Sequence, residues 1–147
     1  MAINVRIETT ISRPREVVSA FVMDPSNDLR WIGALTEVER LDDGPVAVGS
    51  RIRRVAKFLR KRIEYVNQID ELIPGQSLAM HSIQAPFDMR VAYCFQDAPG
   101  NSTRVAVEAG GETGGYYRIV GPLLPFFVRM GIKRDLRSLK KVMDGKA

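Results

Sequence analysis

The stretch "INVRIETTISRPREVVSAFVMDPSNDLRWI", residues 3–32, decides the fold class. Apolar and polar residues alternate through its first part, a period of two that is typical of a half-buried strand. Ser12 and Pro14 then supply the signal for a helix start, and Asp24 with Pro25 repeats that signal further along. The sequence therefore predicts a strand followed by two short helices.

Beyond this stretch the chain divides into strand-length segments separated by turn sequences such as "DDGP" and "DAPGNS". Because connections this short cannot carry a crossover, we expect consecutive strands to be antiparallel neighbours. With the first strand they make seven. The six further strands are predicted at residues 35–42, 49–58, 62–72, 77–84, 87–96 and 102–110.

A long helix is predicted from about Tyr116 to Met143. Its second half has apolar residues at three- and four-residue steps and basic residues between them, which indicates an amphipathic helix lying on the sheet. The stretch "IVGPLLPFFVRMGI", residues 119–132, is apolar nearly all round, yet it is shorter than the roughly 18 to 20 residues that cross a bilayer. We therefore predict that it does not span a membrane.

The length of 147 residues is typical of one domain with its own core, so we expect a single domain over residues 1–147. Cys94 is the only cysteine, which excludes an internal disulfide. Charges at Arg6 and Glu8 interrupt the apolar pattern near the first residue, which argues against a signal peptide. Together these features predict a cytoplasmic protein.

Residues 51–62 carry seven basic side chains and no acidic one, although the net charge of the chain is only +5. Such a run could face nucleic acid or anionic lipid, or it could be the solvated face of a strand. We favour the solvated face and predict no nucleic-acid partner. The single histidine, His81, and the lack of acidic clusters at metal-binding spacing lead us to predict no metal and no cofactor.

The inward faces of the predicted strands are almost wholly apolar, with a few polar-tipped side chains among them. Arg54 is anomalous there, because a buried guanidinium needs either a protein partner or a ligand anion. A wide apolar face with a few convergent polar groups describes a small-molecule site, and it equally describes a plain core. Residue types alone leave both interpretations open.

The order of these elements resembles the helix-grip fold of the START-like (SRPBCC) superfamily, and in particular its polyketide cyclase/dehydrase-like family. The resemblance rests on residues 3–32, on "VGSR" at 48–51, on "PLL" at 122–124 and on "RDL" at 134–136. It implies an α+β fold, in which a curved seven-stranded antiparallel sheet wraps around the long C-terminal helix with two short helices after the first strand.

The resemblance also implies an internal cavity between the sheet and the C-terminal helix. We therefore expect the protein to bind a hydrophobic small molecule such as a lipid, polyketide or aromatic compound, as carrier or sensor. The alternative is a cofactor-independent polyketide cyclase or dehydratase acting in the same pocket, and no catalytic residue is transferred by the resemblance. The candidate ligand-binding residues are Trp31, Arg54, Phe58, Tyr65, Phe87, Met89, Val91, Tyr93, Tyr117, Leu124 and Phe127.

Glycines before the apolar stretch and prolines within it suggest a gate over that cavity. Gly114 and Gly115 would loosen the joint, and Pro122 and Pro125 would interrupt the first part of the helix. Exposed apolar residues here, beside the basic helix, would also suit peripheral contact with an anionic membrane. Membrane contact and a homodimer stay open as further alternatives.

Overall fold

Seven antiparallel strands form one sheet in the computed structural model, which describes residues 2–58, 60–85, 88–112 and 124–145. The strand order is β1-β7-β6-β5-β4-β3-β2, so every strand from β2 onward lies beside its sequence neighbour and β1 pairs with β7. The strands are β1 (Ala2–Ile11), β2 (Leu35–Arg40), β3 (Arg51–Phe58), β4 (Lys61–Ile73), β5 (Ser77–Gln84), β6 (Arg90–Ala98) and β7 (Ser102–Glu112). The predicted α+β, seven-stranded antiparallel architecture is confirmed.

Two short helical segments follow β1, as the sequence predicted. Helix α1 (Arg15–Met23) begins after Pro14, and no side chain caps its first turn, so the proposed role of Ser12 as cap is wrong. The next segment is a 3₁₀ helix (Pro25–Arg30), which Asp24 caps by accepting a hydrogen bond from the Ser26 N–H at 3.0 Å.

The C-terminal helix α2 (Leu124–Met143) is anchored at its end to the beginning of the fold. Lys140 donates a hydrogen bond to the Thr10 carbonyl at 2.9 Å, and Arg13 donates one to the Met143 carbonyl at 3.0 Å. Leu136 and Leu139 are almost fully buried beside these contacts. This half of the helix therefore packs against the sheet, as the amphipathic pattern predicted.

The first half of α2 carries less buried apolar surface. Val128 and Ile132 are only partly buried, and Phe126 and Met130 are about half exposed. Pro125 is the second residue of the helix as described, and the residues before Leu124 are outside the described ranges, so the interruption at this proline stays a prediction. Residues 116–123 of the predicted helix, with Pro122, Gly114 and Gly115 of the proposed gate, lie outside the described residues.

None of the helices in the described ranges combines the length and the apolar character that crossing a membrane requires. The nearest candidate, α2, carries basic residues throughout its second half.

Gly111 is the position where the backbone of β7 tolerates no side chain. Its φ is +152°, and a Cβ there would collide with the carbonyl oxygen of Asp88, in the connection between β5 and β6. We predict that Gly111→Ala lowers the free energy of unfolding by about 1–3 kcal/mol, the usual cost of a strained backbone position. The measurement is urea denaturation followed by circular dichroism.

Gly131→Ala is the matched control. Among the described residues, apart from its own helix backbone and chain neighbours, no atom lies within 4 Å of a Cβ added at this helical glycine. The same substitution should therefore raise stability by up to about 1 kcal/mol through helix propensity. Equal effects of the two substitutions would contradict the steric argument for Gly111.

Candidate functional site

A cavity of about 700 Å³ lies between the inner face of the sheet and helix α2. The 3₁₀ helix and the end of α1 contribute to one side of it, and β3 to β7 contribute the floor. The alternation of each strand places one set of side chains on this face. Most of the lining is apolar, including Ile52, Ala56, Ile63, Ile69, Leu78, Met80, Val91, Val107 and Leu136.

The Arg54 side chain lies in the cavity wall, and the structure gives it a protein partner. Its Nε and Nη2 atoms both donate to Oδ2 of Asp28, at 3.1 and 2.7 Å, and its Nη1 lies 3.6 Å from the Met80 sulfur. Arg54 is 6% exposed and Asp28 is 2% exposed. The sequence left open whether Arg54 is paired with a protein group or with a ligand anion. In the structure its partner is the Asp28 carboxylate of the protein.

Asp28 reaches this position because the 3₁₀ helix turns it inward. Burial raises the pKa of the Asp28 carboxyl above its ordinary value, and the adjacent Arg54 guanidinium opposes that rise. The carboxyl is thus held in the wall of an apolar cavity by one strong ionic partner. No local pattern in the sequence indicates that Asp28 is buried.

Three aromatic side chains stand near this ion pair. Trp31 packs edge to face on Tyr93, with ring centroids 6.1 Å apart and an interplanar angle of 70°. Burial raises the pKa of the Tyr93 hydroxyl and that of the Tyr65 hydroxyl, so both stay protonated at neutral pH. They are available as hydrogen-bond donors.

Two buried polar atoms on the cavity wall have no hydrogen-bond partner among the residues that the structure describes. They are the indole Nε1 of Trp31 and the Oδ1 atom of Asn67. Trp31 is 4% exposed and Asn67 is 2% exposed. Because a buried polar group without a partner costs about 1–3 kcal/mol, a donor and an acceptor in this state favour a ligand that satisfies them.

Asp135 joins helix α2 to the loop that precedes β2. Its Oδ1 accepts a hydrogen bond from the Gly33 N–H at 3.0 Å, and Arg134 lies 3.7 Å from the same oxygen. Burial raises the pKa of the Asp135 carboxyl, while the Gly33 N–H opposes the rise. This contact fixes one edge of the cavity.

The structure brings most of the candidate ligand-binding residues together in the wall of one cavity. The cavity is lined by Trp31, Arg54, Tyr65, Met89, Val91, Tyr93 and Phe127. Phe87 and Tyr117 lie outside the described residues, and the side chains of Phe58 and Leu124 are likewise not described. The placement of the others leaves their role in ligand binding a prediction.

Asp28, Asn67 and Asp135 are polar lining residues that were not among the predicted site residues. The alternation on β4 predicts that Asn67 faces inward, because Asn67 is in phase with Tyr65 and Ile69. A buried arginine requires an acidic partner, so an acid near Arg54 was to be expected. No local pattern in the sequence identifies Asp28 as that acid. Within the described ranges, no three His, Cys, Asp or Glu side chains are grouped closely enough to hold a metal ion.

We predict that Asp28→Asn lowers the free energy of unfolding by about 3–5 kcal/mol, because it leaves the buried Arg54 guanidinium without a counter-charge. The double variant Asp28→Asn with Arg54→Met removes both charges and should be more stable than the Asp28→Asn variant alone. Urea denaturation of the wild type, Asp28→Asn, Arg54→Met and the double variant measures this. Losses that simply add up in the double variant would show that the two side chains are not coupled.

Known structures with the same fold are numerous. The chain is similar to TTHA0849 of Thermus thermophilus, with 19% identity, a TM-score of 0.80, and 98% of this chain and 99% of that chain covered. It is similar to a START superfamily protein of Mycobacterium smegmatis, with 11% identity, a TM-score of 0.82 and the same coverage of both chains. It is also similar to the Zhui aromatase/cyclase of Streptomyces sp. R1128, with 16% identity, a TM-score of 0.73, and 99% and 93% of the two chains covered.

At these levels of sequence identity the similarities establish a shared fold, but no shared ligand or activity. No curated protein sequence matches the chain. The model of one family, described as polyketide cyclase / dehydrase and lipid transport, matches residues 2–144. Because that match spans nearly the whole chain and the sheet with its C-terminal helix has the START-like form, this protein belongs to the polyketide cyclase/dehydrase and lipid transport family.

Proposed function

We propose that the protein binds a hydrophobic small molecule between the sheet and helix α2, as a carrier or sensor. The observation that carries this proposal is the cavity of about 700 Å³ with its mostly apolar lining. Small-molecule sites in proteins typically occupy about 300–1,000 Å³ and combine apolar walls with a few placed polar groups. A plain core would fill this space with side chains, because protein interiors are close-packed.

The polar groups on the wall support a ligand with an oxygen-bearing part. The Trp31 indole can donate a hydrogen bond, and the Asn67 amide oxygen can accept one. A carbonyl or hydroxyl group on an otherwise apolar molecule would satisfy the donor, and a hydroxyl would also satisfy the acceptor. Ligands of this class include oxygenated lipids, polyketides and aromatic compounds.

Trp31 gives a direct test, because it is the only tryptophan in the chain and its ring lines the cavity. The probe is the neutral fluorophore N-phenylnaphthylamine. We expect saturable energy transfer from Trp31 to the probe when the probe enters the cavity. Absence of transfer at any probe concentration would contradict the proposal.

The variant Ala109→Phe should lower the affinity for this probe by roughly tenfold or more, which corresponds to about 1.4 kcal/mol. Ala109 lines the cavity on β7, so a phenyl ring there occupies ligand space. Ala92→Phe is the matched control, since Ala92 on β6 does not line the cavity. Equal affinities of the two variants would place the probe elsewhere on the protein.

A cofactor-independent cyclase or dehydratase in the same pocket is the second candidate, and the buried Asp28 carboxyl favours it. Burial raises the pKa of this carboxyl above that of an exposed aspartate. A carboxylate with a raised pKa is a stronger base and is better suited to exchange protons. Such a group could accept a proton from a methylene between two carbonyls of a polyketide chain. The protonated Tyr65 or Tyr93 hydroxyl could donate a hydrogen bond to the developing enolate oxygen.

The binding and catalytic functions are separated by comparing turnover with binding in one set of variants. Turnover is measured with a poly-β-keto thioester, and binding with N-phenylnaphthylamine. An enzyme should lose most of its turnover in Tyr93→Phe while the protein still binds the probe, whereas Ala109→Phe should lose both turnover and probe binding. A wild-type protein that binds the probe without converting the thioester supports the carrier or sensor alone.

A further inference from the structure

Of the side chains that the structure describes on helix α2, those that are exposed all lie on one face. At about 100° per residue, they fall within an arc of roughly 140° around the helix axis. We call this surface the outer face of α2. It consists of two large apolar residues and six basic ones, with no acidic residue among them: Phe126, Arg129, Met130, Lys133, Arg134, Arg137, Lys140 and Lys141.

The beginning of the outer face is apolar and adjoins the cavity. Phe126 is 55% exposed and Met130 is 50% exposed. The Phe126 ring packs edge to face on Phe127, with ring centroids 5.7 Å apart, and both Phe127 and Met130 line the cavity. Apolar surface that continues from a cavity onto the exterior is more typical of a contact site than of scattered exposed residues.

Basic residues begin directly beside this apolar end. Arg129 and Lys133 lie three and seven positions after Phe126, a spacing that places the three side chains next to one another on the helix surface. Among the ion pairs formed by described residues, α2 contributes only that of Arg134 with Asp135, at 3.7 Å, and the Asp135 side chain is only 17% exposed. Most cations of the outer face therefore have no counter-charge within the described part of the protein.

The outer surface of the sheet differs in this respect, because acids on neighbouring strands neutralise many of its arginines. Arg6 on β1 pairs with Glu108 on β7, and Arg53 on β3 pairs with Glu64 on β4. An anionic surface would thus be attracted along α2 and would meet mixed charges on the sheet.

The composition of the outer face suits a lipid surface better than a second copy of the chain. In a two-fold dimer the same surface meets itself, so its basic side chains would face one another. An anionic bilayer offers headgroups to the basic side chains and an apolar layer beneath them to Phe126 and Met130. Lipid headgroups also rearrange laterally, so a straight row of cations needs no partner of matching shape.

We propose that the outer face of α2 docks the protein on an anionic membrane, with Phe126 and Met130 inserted below the headgroups and the basic residues lying among them. Met130 lines the cavity, so docking in this way brings the cavity wall to the bilayer. The docking does not depend on the proposed function. Together with that function, it gives a hydrophobic ligand a short path between the membrane and the cavity.

Co-sedimentation with lipid vesicles tests the docking. Vesicles of equimolar phosphatidylcholine and phosphatidylserine should bind the protein at low ionic strength, and vesicles of phosphatidylcholine alone should bind it more weakly by roughly tenfold or more. The difference should shrink at high salt, because the basic side chains are exposed and screened. Failure to bind the mixed vesicles, or equal binding to both kinds of vesicle, would overturn the proposal.

A pair of double variants locates the docking surface. Arg129→Gln with Lys133→Gln should weaken binding to the mixed vesicles by roughly tenfold or more, because both cations lie beside the inserted residues. Arg90→Gln with Arg104→Gln is the control of equal charge change, since both are exposed residues on the outer surface of the sheet, and it should bind nearly as the wild type does. Equal losses in the two variants would show that binding follows net charge and not the outer face of α2.

Phe126→Gln tests the insertion. It should weaken binding to the mixed vesicles severalfold, because the phenyl ring contributes apolar area to the docked state. Binding of N-phenylnaphthylamine in the absence of vesicles should not change, since Phe126 does not line the cavity. Unchanged vesicle binding would assign the basic face to a polyanion such as an acidic protein and would overturn the membrane assignment. Vesicle binding and probe binding are measured separately, so failure of the docking leaves the proposed function standing.

Discussion

The ion pair between Arg54 and Asp28 is the interaction on which the cavity depends. A guanidinium in an apolar wall is tolerated only when a partner neutralises it and satisfies its N–H groups. The partner comes from the 3₁₀ helix, about two dozen residues earlier in the chain, so the pair ties that helix to β3. Loss of either charge would both leave the other unpaired and release the short helix that closes one side of the cavity.

The cavity persists because the two halves of α2 meet the sheet differently. Leu136, Leu139 and Met143 bury the second half against β1 and the core. The first half lies over the strands with partly exposed side chains, and the polar contact between Asp135 and Gly33 holds the helix at the edge of the space. Close packing in one half thus supports an open volume under the other, which explains how a small α+β protein combines stability with room for a ligand.

The strand pattern and the fold class were predictable because alternation is a local signal of period two. All seven strands were placed within a few residues of their observed bounds, and the inward-facing Arg54, Tyr93 and Val91 followed from phase alone. Asp28 was not predictable, because its pairing with Arg54 is fixed by tertiary packing of a 3₁₀ helix that has no marked periodicity. The start of α1 was misassigned because Ser12 and Pro14 both fit a helix start, and only the backbone conformation distinguishes them.

Gly131 lines the cavity from α2, and among the described residues, apart from its own helix backbone and chain neighbours, no atom lies within 4 Å of a Cβ added there. A glycine inside a helix lowers helix stability by about 1 kcal/mol relative to alanine, so the residue is unfavourable for the helix itself. The lack of a side chain at this position leaves space open beside the cavity. For the ligand proposed above, a side chain at position 131 would therefore limit the space available next to the helix.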